Sequence, residues 1–208
     1  MTMPKCRLRK FARTILVVAA WSLLQGVGWA QAPDKNREAD IAFTYAAMRA
    51  SERNTTSFWL RGGAVELHAR FYRGLGVAAS VTGMHEGSSN SSLIAPLDLV
   101  TVVFGPRYTL DLHGRASMFT EGLVGEAHGF HSVFAYGSGS VNNPDNGTTD
   151  SSTSFTLQAG GGFDLRLTGH LSARVVQADY LRTQLPNGAG NLQNNFRVSA
   201  GFIFRFAQ

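Results

Sequence analysis

Asn195-Phe-Arg-Val-Ser-Ala-Gly-Phe-Ile-Phe-Arg-Phe206 is the stretch that decides the fold. Successive side chains of a strand point to opposite faces, so Phe196, Val198, Ala200, Phe202, Phe204 and Phe206 share one face. Arg197, Ser199, Gly201 and Arg205 share the other. A strand so polarised requires an apolar medium on one side and a confined polar space on the other.

The same alternation recurs upstream. Ile41, Phe43, Tyr45 and Ala47 oppose Asp40, Ala42, Thr44 and Ala46; Val65 and Leu67 oppose Glu66 and His68 within a segment running from Trp59 to Ala69. Leu75, Val77, Ala79 and Val81 oppose Gly76, Ala78, Ser80 and Thr82. In Phe155 to Leu167 the odd positions are apolar, apart from Gly161, while Thr156, Gln158, Gly160, Gly162, Asp164 and Arg166 face the other way. The segments Leu99–Tyr108 and Ala116–His128 alternate less clearly. In Leu171–Arg182, Arg174 and Gln177 cannot share a face without a bulge.

The connections carry as much information as the strands. Four are long and polar, Ala50–Ser57, His85–Pro96, Gly129–Thr153 and Thr183–Asn194, and they alternate with three short ones, Arg70–Gly74, Asp111–Gly114 and Thr168–His170. Short turns at one end and long loops at the other are the pattern of an up-and-down antiparallel barrel in the bacterial outer membrane. About eight strands of bilayer-crossing length follow, with both ends of the chain on the turn side.

The opposite end of the chain agrees. Lys5, Arg7, Arg9, Lys10 and Arg13 precede an apolar run from Thr14 to Gly28 and the small-residue sequence Gly-Trp-Ala-Gln-Ala32. That order is a secretory signal peptide, expected to span 1–30, with 31–38 as a periplasmic lead-in and 39–208 as the barrel. The apolar run is shorter than the ~20 residues of a spanning helix. Without the five basic residues, the 19 Lys and Arg become 14, equal to the 14 Asp and Glu. A neutral exported chain removes the case for nucleic acid. The single cysteine, Cys6, leaves with the leader, so disulfides and Cys-based metal sites are excluded.

Period-two alternation does not by itself say which face is inside, since a soluble lipocalin-like barrel turns its apolar face inward. A water-facing exterior is rich in Lys and Glu, yet past the leader the only lysine is Lys35. The polar face is largely Gly, Ala, Ser, Thr and Gln, small enough for a narrow lumen. The apolar face is therefore assigned to outer membrane lipid.

Four features together resemble the small outer membrane β-barrels of the OmpA and OmpX type. They are Phe104-Gly105-Pro106-Arg107, the run Ala159-Gly160-Gly161-Gly162-Phe163-Asp164, Gln177-Ala178-Asp179-Tyr180, and the Phe-rich final strand. The resemblance extends from Ala39 to Phe206 and implies an all-β, closed transmembrane barrel of about eight strands. It further implies that Phe202, Phe204 and Phe206 form the signal read by the barrel assembly machinery, although Ala207 and Gln208 follow here. No peptidoglycan-binding domain is expected after the barrel.

Glu66, Asp164 and Asp179 are expected to face Arg166, Arg197 and Arg205 in the lumen. Such a network is either a selective channel or a plug, and about eight strands leave room only for side chains, which favours the plug. His128 and His131 lack the partners of a metal site, and no cofactor is implied. A lipid-processing enzyme would need a Ser–His–carboxylate set, for which His131-Ser132 and His85-Glu86 are the places to look. Phe130, Phe134 and Tyr136 are candidates for an outer aromatic girdle, and Asn143-Pro-Asp-Asn-Gly147 for a turn tip. The reading that follows is a non-enzymatic envelope or surface-interaction protein. A lipid A acylase or deacylase, and a narrow pore or carrier of small solutes, are the alternatives, and the surface ligand is unassigned.

Overall fold

A computed structural model describes residues 38–50, 58–86, 97–112, 114–135, 148–186 and 191–206. The expected leader, nearly all of the lead-in, Tyr136, the Asn143–Gly147 tip and the side chain of Ser132 lie outside the described residues.

Eight strands follow one another: β1 (Glu38–Ala50), β2 (Phe58–Tyr72), β3 (Leu75–Glu86), β4 (Asp98–Asp111), β5 (Ala116–Ala135), β6 (Thr148–Arg166), β7 (Leu171–Thr183) and β8 (Gln193–Phe206). Each pairs antiparallel with its neighbours in the chain, and β1 pairs with β8 to close the barrel. Closure leaves no free sheet edge, which is what a bilayer demands of any spanning sheet.

The strand that decided the fold holds its register. Phe43 lies opposite Phe202 and Ile41 opposite Phe204 across the β1–β8 seam. The rings of Phe43 and Phe204 meet edge to face at 6.1 Å. Val65, Leu67, Val81, Phe104, Phe155, Phe202 and Phe204 all stand exposed on the outer face. A continuous exposed apolar surface of this kind fits lipid and not water.

Two strands are longer than their sequence suggests. Gly129 to Thr153, expected to be a loop, is strand at both ends: β5 runs 20 residues to Ala135, β6 begins at Thr148, and Ser151, Ser152 and Thr153 pair with Phe130, Gly129 and His128. Polarity is a poor guide here, because Ser and Thr form strands readily wherever the ladder continues beyond an apolar band. Phe134 consequently points into the barrel, where it is buried, and does not join an outer girdle.

The bulge required in β7 is present. Pairing with β8 slips between Arg174 and Gln177, and Val175 and Val176 both face outward. The extra residue returns Arg174 and Gln177 to the same inner face. At the β2–β3 turn, Arg73 and Gly74 both take positive φ, 40° and 89°. Two positive φ values match the right-handed twist of the flanking strands.

The interior has two tiers, which the sequence reading of a uniformly small, polar lumen did not distinguish. Toward the long loops, Met48, Leu60, Met84, Leu99, Phe134, Leu181 and Leu185 form an apolar cluster with Ala46, Ala50 and Ala127. Below it the buried side chains include a charged and amidic set, interspersed with Phe119, Ile203 and a small apolar cluster of Ala78, Val103 and Leu123.

Candidate functional site

The lower tier is a buried ion network. Glu66 on β2 contacts Arg107 of β4 at 2.5 Å and Arg174 of β7 at 2.8 Å. Arg107 also reaches Glu121 of β5 at 2.8 Å, and Arg174 donates Nε to Asp164 of β6 at 3.0 Å. Gln158 and Gln177 each donate an amide N–H to Glu121 Oε1 at 3.1 Å. Arg197 of β8 donates Nε and Nη2 to Asp179 Oδ2 at 3.0 and 2.7 Å, and Nη1 to Thr82 of β3 at 2.6 Å. All strands except β1 contribute to this set. Removing one partner of such a pair leaves an uncompensated buried charge, at a cost of about 3–5 kcal/mol.

Phe119 sits inside the network. The guanidinium carbons of Arg107 and Arg174 lie 3.9 and 4.5 Å from its ring centroid. A desolvated cation over an aromatic face is worth about 2 kcal/mol. Room for the ring is made on β6: a Cβ at Gly162 would lie 2.7 Å from two Phe119 ring carbons, and one at Gly160 would lie 2.2 Å from Asp179 Oδ1. The glycine run therefore accommodates the network from the facing strands.

The network seals the lumen. Arg107 and Arg174 are 2 % exposed and Asp179 is 0 % exposed, values that a water-filled channel past them would raise. The cavity between these side chains and the turn end has a volume of about 20 Å³. That suffices for about one water.

Glu66, Asp164, Asp179 and Arg197 are thus brought together. Arg166 and Arg205 are not part of this set: they lie at the turn end, where Arg205 Nε is 3.1 Å from Glu38. Sequence reasoning missed Arg107, Glu121 and Arg174 as members. Arg107 and Glu121 fall in the strands whose alternation is weak, and Arg174 falls before the bulge. At the same end Arg70 pairs with Glu38 at 2.6 Å and Asp111 at 2.8 Å, and His68 with Asp40 at 3.0 Å.

At the loop end, on the outer face, Asp98 joins His85 and His131. Its Oδ2 accepts from His131 Nδ1 at 2.5 Å and its Oδ1 from His85 Nδ1. The imidazoles of His131 and then His85 hold the Asp98 carboxyl below the usual carboxylate range. His131 takes a left-handed backbone, φ 60°, at the irregularity between Phe130 and Phe134. A carboxylate that orients a histidine is two-thirds of a catalytic triad, but here one carboxylate serves two histidines. Glu86 is buried and turned away from its neighbour His85, which is exposed. His128 bonds Thr153 at 2.7 Å. Among the described residues, no group of three His, Cys, Asp or Glu has metal-site geometry.

No protein-family description matches the sequence, and no curated protein does. Solved structures do match. Neisserial surface protein A superposes with a TM-score of 0.62 at 15 % identity, over 81 % of this chain and 97 % of that one. Ail, the attachment invasion locus protein of Yersinia pestis, superposes with a TM-score of 0.55 at 20 % identity, over 82 % and 99 %. The fold is that of the small outer membrane β-barrels. Within that fold the apolar band, the closed seam and the filled lumen all have a place.

Proposed function

We propose that the chain is a non-enzymatic integral protein of the bacterial outer membrane, exported by a leader spanning 1–30 that is cleaved, and acting through the loop end of the barrel. The observation that carries this is the sealed lumen. With Arg107, Arg174 and Arg197 buried at the centre and an apolar tier above them, the interior offers neither an aqueous path nor a substrate site. What remains for interaction is the rim, where the strands extend furthest on β5 and β6.

The likeness to Ail, the attachment invasion locus protein of Yersinia pestis, supports a surface-interaction role on a barrel of this kind. Phe202, Phe204 and Phe206 stand exposed on the final strand, where the assembly machinery would read them. Expression in a Gram-negative host followed by membrane fractionation tests the reading. The expected result is an outer membrane protein whose unheated, folded form migrates differently from the boiled form. Recovery in the soluble periplasmic fraction would overturn it, and altered lipid A mass spectra on expression would replace it with the enzymatic alternative.

A further inference from the structure

The turn end of the barrel holds a second cavity, of about 170 Å³, walled by Arg115 of the β4–β5 turn, Arg166 at the end of β6 and Arg205 near the end of β8. We propose that this cavity binds a phosphate-class oxyanion through these three guanidinium groups.

The charges around it do not balance. Among the described residues, Asp111 is the one carboxylate lining the cavity, and its Oδ2 already accepts from Arg70 at 2.8 Å. Glu38, the partner of Arg205, also accepts from Arg70, at 2.6 Å. Among the described residues, neither Arg115 nor Arg166 has an ion-pair partner. Their mutual contact is through the backbone, where Arg166 N donates to Arg115 O at 2.7 Å. That bond fixes the two turns, and hence the two side-chain origins, beside each other. Arg205 is largely buried, and its Nε lies near Glu38 without hydrogen-bond alignment.

Arg115 and Arg166 thus stand beside Arg205, whose partner Glu38 is shared with Arg70, and a cleft lined by an excess of one sign of charge raises the local concentration of counter-ions. Guanidinium is the side chain suited to phosphate, because its planar fork can donate two parallel hydrogen bonds to two oxygens. Solvated turn arginines are the plain alternative. They do not explain why residues from three separate elements line the same cavity while the acids beside it are engaged by Arg70. A water's share of liquid volume is about 30 Å³, so the space admits a small tetrahedral anion or the phosphate of a headgroup.

The source is a free phosphate or the phosphodiester of an anionic phospholipid at the rim. Folded protein in a phosphate-free nonionic detergent, titrated with inorganic phosphate, distinguishes the proposal from its alternative through the arginine side-chain ¹⁵Nε resonances. Saturable shifts of Arg115, Arg166 and Arg205, with affinity reduced about tenfold or more in Arg115→Ala/Arg166→Ala, are expected. Both substituted side chains are exposed, so the variant keeps its folded gel mobility, which is checked alongside. No saturable shift, or equal affinity in the double variant, overturns the proposal. Repeating the titration in nanodiscs identifies the source: phosphatidylglycerol blocks the phosphate shifts if the headgroup is the occupant, and leaves them intact if free phosphate is. The binding readout is independent of the cellular location, so its failure is separable from failure of the outer membrane reading.

Discussion

Glu66 of β2 and Arg174 of β7 meet at 2.8 Å although 108 residues separate them in the chain. Their bond crosses the lumen, so it forms only after the barrel has closed. Replacing Glu66 by Ala leaves both Arg174 and Arg107 short of a partner in a buried space with room for about one water. The expected loss is about 3–5 kcal/mol, read as a lower urea midpoint for folded protein in micelles. A midpoint unchanged from the parent would show that water enters the lumen and solvates the arginines.

The Asp179–Arg197 pair allows a sharper test of the same idea. Asp179→Leu and Arg197→Met should each destabilise strongly, while the double variant recovers part of the loss. Neither charge is then stranded, and apolar replacements of similar volume suit a buried site. Thr82 and Gln177 would each still lack one bond, so recovery is incomplete. Additive losses in the double-mutant cycle would argue against direct coupling.

Gly162→Ala places a methyl 2.7 Å from the Phe119 ring and 2.6 Å from the Val176 carbonyl oxygen. The ring cannot retreat freely, because two guanidiniums hold it. A cost of about 1–3 kcal/mol is expected for overpacking of this kind, with near-ultraviolet circular dichroism changed by the displaced ring. Gly83, whose added Cβ would meet nothing within 4 Å, is the control, and Gly83→Ala should be close to neutral.

How legible this was depended on the local pattern. β8 and β6 alternate cleanly, because one side of each must satisfy lipid and the other a crowded interior; their faces could be assigned from the sequence, down to Asp164 and Arg197. β4 carries Gly105 and Pro106 just before Arg107, and β5 has Gly122 and Gly125 on either side of Leu123. Glycine at an outward or inward position gives no polarity signal, so the inward parity of Arg107 and Glu121 was hidden. The bulge at Val175–Val176 hid Arg174 in a similar way, since it breaks the period at the residue that matters. The His85–Asp98–His131 contact was illegible for another reason: it joins three strands at their loop ends, and only the β3–β4–β5 register brings Asp98 opposite His85 and Phe130.

That contact gives Asp98 a pH signature. With its carboxyl held below the usual range by His131 and His85, its contribution to stability is present above the unfolded value of about 3.9 and is lost as pH falls through the lower, folded value. Stability between pH 5 and 8 should therefore not depend on titration of Asp98. In His131→Ala its midpoint should rise toward about 3.9, measured by carboxyl ¹³C NMR. An unmoved midpoint would mean that His131 and Asp98 do not meet in the folded barrel.

The final strand offers a test that separates assembly from stability. Phe206 is 57 % exposed on the outer face and pairs with Ala39 where β8 closes on β1. It fills no core, so Phe206→Ala should leave the urea midpoint of protein refolded in micelles nearly unchanged. If Phe206 belongs to the signal read by the assembly machinery, the same variant expressed in cells should yield markedly less folded barrel in the outer membrane. Adding Phe204→Ala should deepen that loss and also remove the 6.1 Å ring contact with Phe43. Equal yields in cells for the parent and both variants would refute the signal. A midpoint that falls in parallel with the yield would instead assign these phenylalanines to holding the seam shut.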